Sequence, residues 1–274
     1  MKVANSKWLP AIGVVMAAGL ISAGPGGIAA ASPAARTSPV APRAVTSPAA
    51  PPAEAVLAYH PSGRILRLGM RGTAVKNLQR RLDVLKYYPG KIDGVFGQST
   101  LEAVWAFKRV QGFTIDAKNA NDADRRLQRA LLHPRLPRVL VPRGGSRRVE
   151  INLRKEILVL YNHNDIELIS HVSTGGGYYY PCPGGGTCGP AITPTGNFRF
   201  LSYAPGWIKV PLGTMYNSAF FIGRAYAVHG DIPVPYYPAS HGCVRIPMDI
   251  ANFFHKKINF STGGVGTPLY IRHG

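Results

Sequence analysis

Acidic residues, cysteines and long apolar runs are all scarce in this sequence. Its 274 residues include 13 Asp and Glu against 32 Lys and Arg, for a formal net charge of +19 at pH 7, and only three cysteines. A chain this basic is expected to associate with polyanions. Nucleic acid is one such polyanion, but no base-recognition motif is visible, so we expect no nucleic-acid partner.

The one marked apolar run lies at the start of the chain. Lys2 and Lys7 give a basic beginning, an apolar stretch follows over residues 8–21, and small residues precede Ser32. This pattern predicts a signal peptide over residues 1–31 and a secreted protein. An uncleaved membrane anchor is the alternative, and it would be the only contact with a membrane. Outside a bacterial cell the polyanions would be wall polymers or anionic lipid headgroups.

Large apolar residues are almost absent from residues 32–58, which consist mainly of Pro, Ala and Ser. Such a segment cannot bury a core, so it predicts a disordered, partly polyproline tether.

Helical periodicity begins after residue 64. Apolar residues recur at spacings of three and four over residues 75–85, and Thr73 is the candidate N-cap. A glycine-rich turn over residues 90–97 precedes a second helix, in which Ser99 and Glu102 have the spacing of a capping box. A third, shorter helix is predicted over residues 123–132. Residues 64–133 therefore predict a small independent bundle of three helices.

The residues of this bundle resemble a known module. The segments LRLGMRGTAVKNLQRRL and GKIDGVFGQSTLEAVWAFKRVQG are similar to the three-helix peptidoglycan-binding domain. The resemblance implies a groove near the turn at Asp93 and Gly94 that holds glycan or stem peptide, while those two residues themselves are expected to shape the turn. A purely structural spacer is the alternative.

The period changes to two after a linker over residues 134–147, whose Pro, Gly and Arg content predicts solvated charge. Residues 148–274 alternate apolar with polar positions, with a turn at residues 162–165 and one helical window at about 248–257. The whole chain therefore predicts an α+β fold, in which a three-helix N-terminal bundle precedes a mostly β domain, a mixed-sheet sandwich.

The three cysteines divide into a pair and a single residue. Cys182 and Cys188 flank a glycine-rich loop, and in an oxidising compartment we expect a disulfide in preference to two free thiols. A metal site lacks four suitable neighbouring ligands, so we expect no metal and no cofactor. Cys243 remains as an intermolecular bridge, a buried inert thiol or a nucleophile.

The sequence around Cys243 favours a nucleophile. His229 ends an apolar run that reads as a strand, and an imidazole near a thiol can hold it as thiolate. His241 is too close along the chain to be the base, but its amide, with those of Gly242 and Cys243, could form an oxyanion hole. Arg245 is suited to binding a substrate carboxylate.

Residues 193–198 (TPTGNF), 215–230 (MYNSAFFIGRAYAVHG), 240–247 (SHGCVRIP) and 266–271 (GTPLYI) resemble the catalytic domain of L,D-transpeptidases. The resemblance implies that Cys243 attacks a stem tetrapeptide at its third residue, releases D-alanine, and passes the acyl group to an amine in a 3→3 cross-link. His229 would be the base and the carbonyl of Gly230 would orient it. Ser240, Met215 and Tyr216 would contact substrate.

Two alternatives to transfer stay open. Water could resolve the same thioester, which would make the protein an L,D-carboxypeptidase, or the protein could bind the wall without catalysis. Two local features differ from the family pattern. The segment at residues 230–239 is short and proline-rich, so the active-site flap is expected to be truncated or rigid. The Cys182–Cys188 insertion either shapes the donor cleft or only closes a loop.

Overall fold

The structure is a computed structural model that describes residues 59–274, which belong to one compact unit. The predicted signal peptide and tether, residues 1–58, lie outside these residues. No helix within residues 59–274 is both long and apolar enough to cross a membrane.

Three helices form the N-terminal part of this unit. They are α1 (Thr73–Val84), α2 (Gln98–Gln111) and α3 (Arg125–Ala130), joined at their edge by the short pair β1 (Leu66–Arg67) and β2 (Asp122–Ala123). The predicted apolar face of α1 is buried, with Leu78 and Leu82 fully inaccessible. The periodicity of the sequence is confirmed because these side chains pack on one stripe of the helix.

The predicted helix starts are wrong in detail. Thr73 is the first helical residue and makes no side-chain cap bond. Ser99 and Glu102 form no capping box, because the Ser99 hydroxyl donates to the Asp249 carboxylate and Glu102 accepts from Gln98. Glu102 is buried, which raises its pKa to about 7. Ser99 and Glu102 therefore bond to other side chains instead of forming the capping box that their spacing predicted.

The turn at Asp93 and Gly94 is held by a buried glutamine that the sequence did not reveal. Gln79 Nε2 donates to the carbonyls of Lys91 and Val95, and Gln79 Oε1 accepts from the Gly94 amide at 2.8 Å. The Asp93 carboxylate accepts from the Val95 amide at 2.8 Å. These bonds agree with the prediction that Asp93 shapes the turn.

The C-terminal part is built from two sheets, a hairpin and one helix. Its elements are β3 (Arg148–Asn152), β4 (Ile157–Asn162), β5 (Asp165–His171), β6 (Tyr179–Pro181), β7 (Thr187–Pro190), β8 (Gly196–Arg199), β9 (Ser202–Val210), β10 (Gly213–Ile222), β11 (Tyr226–Gly230), β12 (Val244–Ile246), α4 (Met248–Phe254) and β13 (Pro268–Arg272). One sheet has the order β5-β4-β3-β13-β8 and the other β12-β11-β10-β9.

Both sheets are mixed, because β13 runs parallel to β3 and β11 runs parallel to β12. Side chains from the two sheets and α4 meet in one core; Leu158, Leu269 and Val228 are among its fully buried members. The predicted α+β fold, with helices before a mostly β mixed-sheet domain, is confirmed.

The sequence predicted an independent helical bundle, but in the structure the bundle packs against the β domain. Its core is continuous with the outer face of the five-stranded sheet, where Ile157, Val159 and Ile169 are buried in the same cluster as the helices. On α2 the Trp105 ring lies edge-on to His171 of β5, with 5.2 Å between ring centroids. The bundle therefore shares buried apolar surface with the β domain.

The linker also contributes more than solvated charge. Arg148, the first residue of β3, is 1% exposed, donates to Glu150 at 2.7 Å and lies over the Tyr161 ring. Glu150 accepts in turn from the amides of Leu140 and Val141. This part of the linker is pinned to the sheet because a buried guanidinium needs a paired carboxylate.

Candidate active site

A cavity of about 530 Å³ opens on one face of the four-stranded sheet. Its walls come from β10, β11, the turn between them, the segment around Cys243 and the β6–β7 hairpin. The residues that line it are Tyr180, Pro183, Val210, Pro211, Leu212, Thr214, Met215, Arg224, Ala225, Tyr226, His229, Asp231, Ser240, His241, Cys243 and Arg245.

Parallel pairing of β11 with β12 brings His229 and Cys243 to this cavity. Val228 pairs with Val244 and His229 with Arg245, so Cys243 lies beside Ala227, whose amide donates to the sulfur. Since side chains alternate along a strand, Ala227 and His229 share the cavity face. The two residues that the sequence singled out therefore meet on one surface, fourteen positions apart in the chain.

The imidazole of His229 is oriented by its own strand. Its Nδ1 lies 2.9 Å from the carbonyl oxygen of Gly230. A carbonyl only accepts, so Nδ1 carries the proton and Nε2 presents a lone pair. Burial lowers the pKa of His229, and Arg245 adds to the lowering. The ring is therefore neutral at pH 7 and able to accept a proton.

The thiol of Cys243 is half-buried. Its Sγ lies 3.8 Å from the carbonyl oxygen of Ala225 and 4.0 Å from the Sδ of Met215. Burial raises the pKa of the thiol, although the Ala227 amide and Arg245 oppose the rise. The sequence predicted a thiolate held by imidazolium; burial instead favours the neutral form of both groups in this state, because each charge would lose hydration.

The nucleophile segment, residues 240–243, is braced from inside. The Ser240 hydroxyl donates to the carbonyl of Cys243 at 2.5 Å and accepts from the Gly242 amide at 3.0 Å. Ser240 lines the cavity but is only 1% exposed, and both of its hydroxyl bonds brace the segment, so its contact with substrate stays a prediction. The Gly242 amide is likewise engaged, which corrects its predicted place in an oxyanion hole. The amides of His241 and Cys243 remain the candidates for that role.

Thr193 is a site residue that the sequence highlighted in a motif without giving it a role. Its buried hydroxyl accepts from the Gly175 amide at 2.9 Å and donates to the Gly242 carbonyl at 2.8 Å. The carbonyl oxygen of Thr174 accepts hydrogen bonds from the amides of both Ala239 and Ser240. The nucleophile segment is thus fastened to two neighbouring segments of the chain.

The short segment between His229 and Ser240 is held along its length. Consecutive carbonyls of Pro235, Tyr236 and Tyr237 accept bonds from His171, Arg109 and Ser173 respectively. Because a surface loop without such anchors would move freely, these bonds support the rigid alternative for the predicted flap.

Arg245 has a partner that the sequence did not reveal. Its Nε lies 2.9 Å from Oδ2 of Asp231, and the two side chains are only 22% and 15% exposed. One guanidinium nitrogen is therefore engaged by an internal carboxylate, and the charge of Asp231 offsets the positive charge that Arg245 was predicted to offer a substrate carboxylate.

Comparisons with known proteins identify the family of the chain. The L,D-transpeptidase catalytic domain matches residues 146–271, and a peptidoglycan binding domain matches residues 71–118. The crystal structure of an L,D-transpeptidase from Xylanimonas cellulosilytica is 32% identical, with a TM-score of 0.67, and the match covers 78% of this chain and 100% of that one. The chain belongs to the L,D-transpeptidase family.

Other solved L,D-transpeptidases are more distant. One from Stackebrandtia nassauensis is 16% identical over 78% of this chain and 97% of that one, with a TM-score of 0.41. One from Mycobacterium tuberculosis is 13% identical over 46% of this chain and 57% of that one, with a TM-score of 0.37. Curated protein sequences gave no match.

In this L,D-transpeptidase the predicted wall residues separate onto two faces of β10. Met215 points into the cavity, and its Sδ touches the Cys243 sulfur. Tyr216 points the other way, donates to Asn252 of α4 at 2.8 Å and packs on Trp207, so its prediction as a substrate contact is wrong. Adjacent residues on a strand face opposite sides, which excludes one of the two from the cavity.

The disulfide-bonded insertion forms one side of the cleft. Cys182 and Cys188 are joined, as predicted, and close the β6–β7 hairpin. Tyr180 from this hairpin lines the cavity and lies edge-on to the His241 ring, with 4.7 Å between centroids. Of the two alternatives for the insertion, the structure supports a part in shaping the cleft.

Within residues 59–274 no group of three or more His, Cys, Asp and Glu is arranged to hold a metal ion.

Proposed function

We propose that this protein is a secreted peptidoglycan L,D-transpeptidase that forms 3→3 cross-links through a thioester on Cys243, with His229 as general base. The observation that carries the proposal is the meeting of these two residues in one cavity, with the proton of His229 fixed on Nδ1 by Gly230. The free lone pair on Nε2 is what a general base requires.

The first half of the reaction is acylation. His229 Nε2 takes the thiol proton as Sγ attacks the carbonyl carbon of the third stem residue, and amides of His241 and Cys243 stabilise the oxyanion. The tetrahedral intermediate then breaks its C–N bond, and the imidazolium returns the proton to the departing amine of D-alanine. A thioester on Cys243 remains.

The second half is transfer. The side-chain amine of another stem attacks the thioester, loses a proton to His229, and expels the Cys243 thiol to leave a new amide bond. Because both resting groups are neutral, no buried charge has to be maintained between turnovers; the charged pair forms only as sulfur attacks.

The domain assignment is part of the same proposal. Residues 1–31 export the chain, residues 32–58 tether it, residues 64–133 bind glycan or stem peptide, and residues 148–274 catalyse. A binding module beside the catalytic domain raises the effective concentration of a polymeric substrate. The net charge of +19 favours further association with anionic wall polymers.

The test is the intact mass of the protein after incubation with a stem tetrapeptide. We expect an adduct equal to the peptide less D-alanine on Cys243, and none on the Cys243→Ala chain. With an acceptor stem present, 3→3 dimers support transfer, while tripeptide without dimers would identify a carboxypeptidase. Absence of both the adduct and D-alanine release would leave a wall-binding protein and overturn the proposal.

A further inference from the structure

The charged residues that line the cavity do not balance. They are Asp231, Arg245 and Arg224, while the two lining histidines, His229 and His241, both have pKa values lowered by burial. Asp231 and Arg245 neutralise each other in an ion pair. One positive charge is left over, and Arg224 carries it.

Arg224 is fixed at its base and free at its tip. It lies in the turn between β10 and β11, which the Ala225 amide closes by donating to the carbonyl of Ile222 at 2.9 Å. The side chain is exposed, and its guanidinium lies 5.2 Å from the centre of the Phe220 ring. No ion pair joins it to any acid in the described part of the chain.

The turn that carries Arg224 is also next to the reacting atom. The carbonyl of the following residue, Ala225, lies 3.8 Å from the Cys243 sulfur. A substrate acylated on that sulfur would therefore lie within reach of a long arginine side chain anchored one residue away. The connection between β9 and β10 also lines the cavity, through the apolar residues Val210, Pro211 and Leu212. It offers a substrate carboxylate no cation.

We infer that Arg224, and not Arg245, binds a free carboxylate of the acyl-donor stem peptide and so selects donors that carry it. The inference rests on the proposed function for the identity of the donor. Guanidinium and carboxylate match in geometry and can form two parallel hydrogen bonds. Two donor carboxylates have this chemistry: the terminal one of D-alanine, and the extra one of a diaminopimelate third residue, which lysine lacks.

The experiment measures binding without turnover. Full-length protein with Cys243→Ala is titrated calorimetrically with three tetrapeptides: one with diaminopimelate and a free C-terminus, one with lysine in place of diaminopimelate, and one with a C-terminal amide. Each titration is repeated with Arg224→Gln added. The matched control is Lys209→Gln, which removes an exposed positive charge on β9 from outside the cavity.

We expect Arg224→Gln to weaken binding of the first peptide by about tenfold or more. Of the other two peptides, the one that lacks the carboxylate bound by Arg224 should already bind weakly to the protein with Arg224, and Arg224→Gln should not weaken its binding further. That peptide identifies which carboxylate Arg224 binds. Lys209→Gln should leave the Kd of all three peptides unchanged.

Equal loss with all three peptides, loss with none, or no saturable binding would each overturn the inference. Release of D-alanine by the unmodified protein is measured separately. A chain that fails to release it, yet shows the carboxylate-dependent loss, would contradict the proposed function and leave the role of Arg224 standing.

Discussion

At the scale of single residues, the pKa values of Cys243 and His229, the proposed catalytic pair, are governed by desolvation. Burial raises the pKa of Cys243 and lowers the pKa of His229, so each shift favours the uncharged group. We expect such a neutral pair to react by proton transfer during attack and not to store a thiolate beforehand.

This neutrality predicts the pH dependence of alkylation. An ordinary thiol has a pKa of about 8.5. The rate at which iodoacetamide modifies Cys243, followed by peptide mass spectrometry, should be low at pH 7 and should keep rising above that ordinary pKa. The thiolate is the reactive form, and a raised pKa moves its appearance to higher pH. A plateau reached below pH 7 would show a stored thiolate instead.

Acylation by a donor peptide should respond to pH in the opposite range. His229 accepts the proton only when neutral, and its lowered pKa keeps it neutral at pH values where an ordinary histidine is charged. The rate of D-alanine release should therefore persist below about pH 6.5 and fall as the pH drops through the lowered pKa. An ordinary histidine has a pKa of about 6.5. Loss of half of the D-alanine release rate at or above that pH would contradict this expectation.

Gly242 is a second residue whose role depends on its immediate surroundings. Its φ is +138°, and a Cβ there would lie 2.8 Å from the carbonyl oxygen of Ile192 and 2.8 Å from the Tyr226 ring. Gly242→Ala should destabilise the protein by about 1–3 kcal/mol and slow acylation, because the nucleophile segment would have to move. Gly263→Ala, where a Cβ meets nothing, is the control for thermal melting and D-alanine release. Equal behaviour of the two variants would refute the steric argument.

At the scale of elements, the cleft combines strands that set the chemistry with a hairpin that sets access. Strand pairing fixes His229 and Cys243, whereas Tyr180 and Pro183 arrive from the β6–β7 hairpin, which pairs with neither main sheet. A two-stranded hairpin is marginally stable by itself. The disulfide is therefore expected to keep this wall in place.

Replacing both Cys182 and Cys188 with Ser tests the wall. The closed loop is short, so the loss of unfolding free energy should be only about 2 kcal/mol. We expect KM for the donor peptide to rise while kcat stays within about twofold, because the hairpin contributes to uniform binding and not to the transition state. A fall in kcat with KM unchanged would place the hairpin in the chemical step.

Elements were predicted well from sequence where a local pattern governed them, as in α1 and in the turn between β4 and β5. Capping of α2 was predicted wrongly, because Ser99 bonds to Asp249, which is 150 positions away. Among site residues, His229 and Cys243 were evident from their motifs. The pairing of Asp231 with Arg245 and the bond from Thr193 to the Gly242 carbonyl were not evident, since both contacts form only on folding.

At the scale of the whole molecule, the helical bundle and the β domain share one buried cluster. Ile157, Val159 and Ile169 of the sheet lie in it together with the helices, and Arg109 of α2 donates to the Tyr236 carbonyl in the segment between the catalytic residues. Removing the bundle would expose this face of the sheet to water, and burial of apolar side chains is the main favourable term in folding.

The shared core predicts a single cooperative unfolding transition. Differential scanning calorimetry of the full chain should show one peak, and a chain truncated to residues 146–274 should melt at a markedly lower temperature or aggregate. Two separate peaks, or a truncated chain that keeps the melting temperature of the whole, would show that the two parts are independent after all.

The sequence by itself determined the α+β class, the order of the helical and β parts, the disulfide and the choice of Cys243 and His229 as the proposed reacting pair, because periodicity and short motifs are local properties of the chain. Tertiary structure alone decided that Arg245 is neutralised, that the Gly242 amide is occupied, that Tyr216 faces away and that the helices are joined to the sheet. Those outcomes depend on which distant groups meet and how much water they lose, and neither quantity is encoded in spacing along the chain.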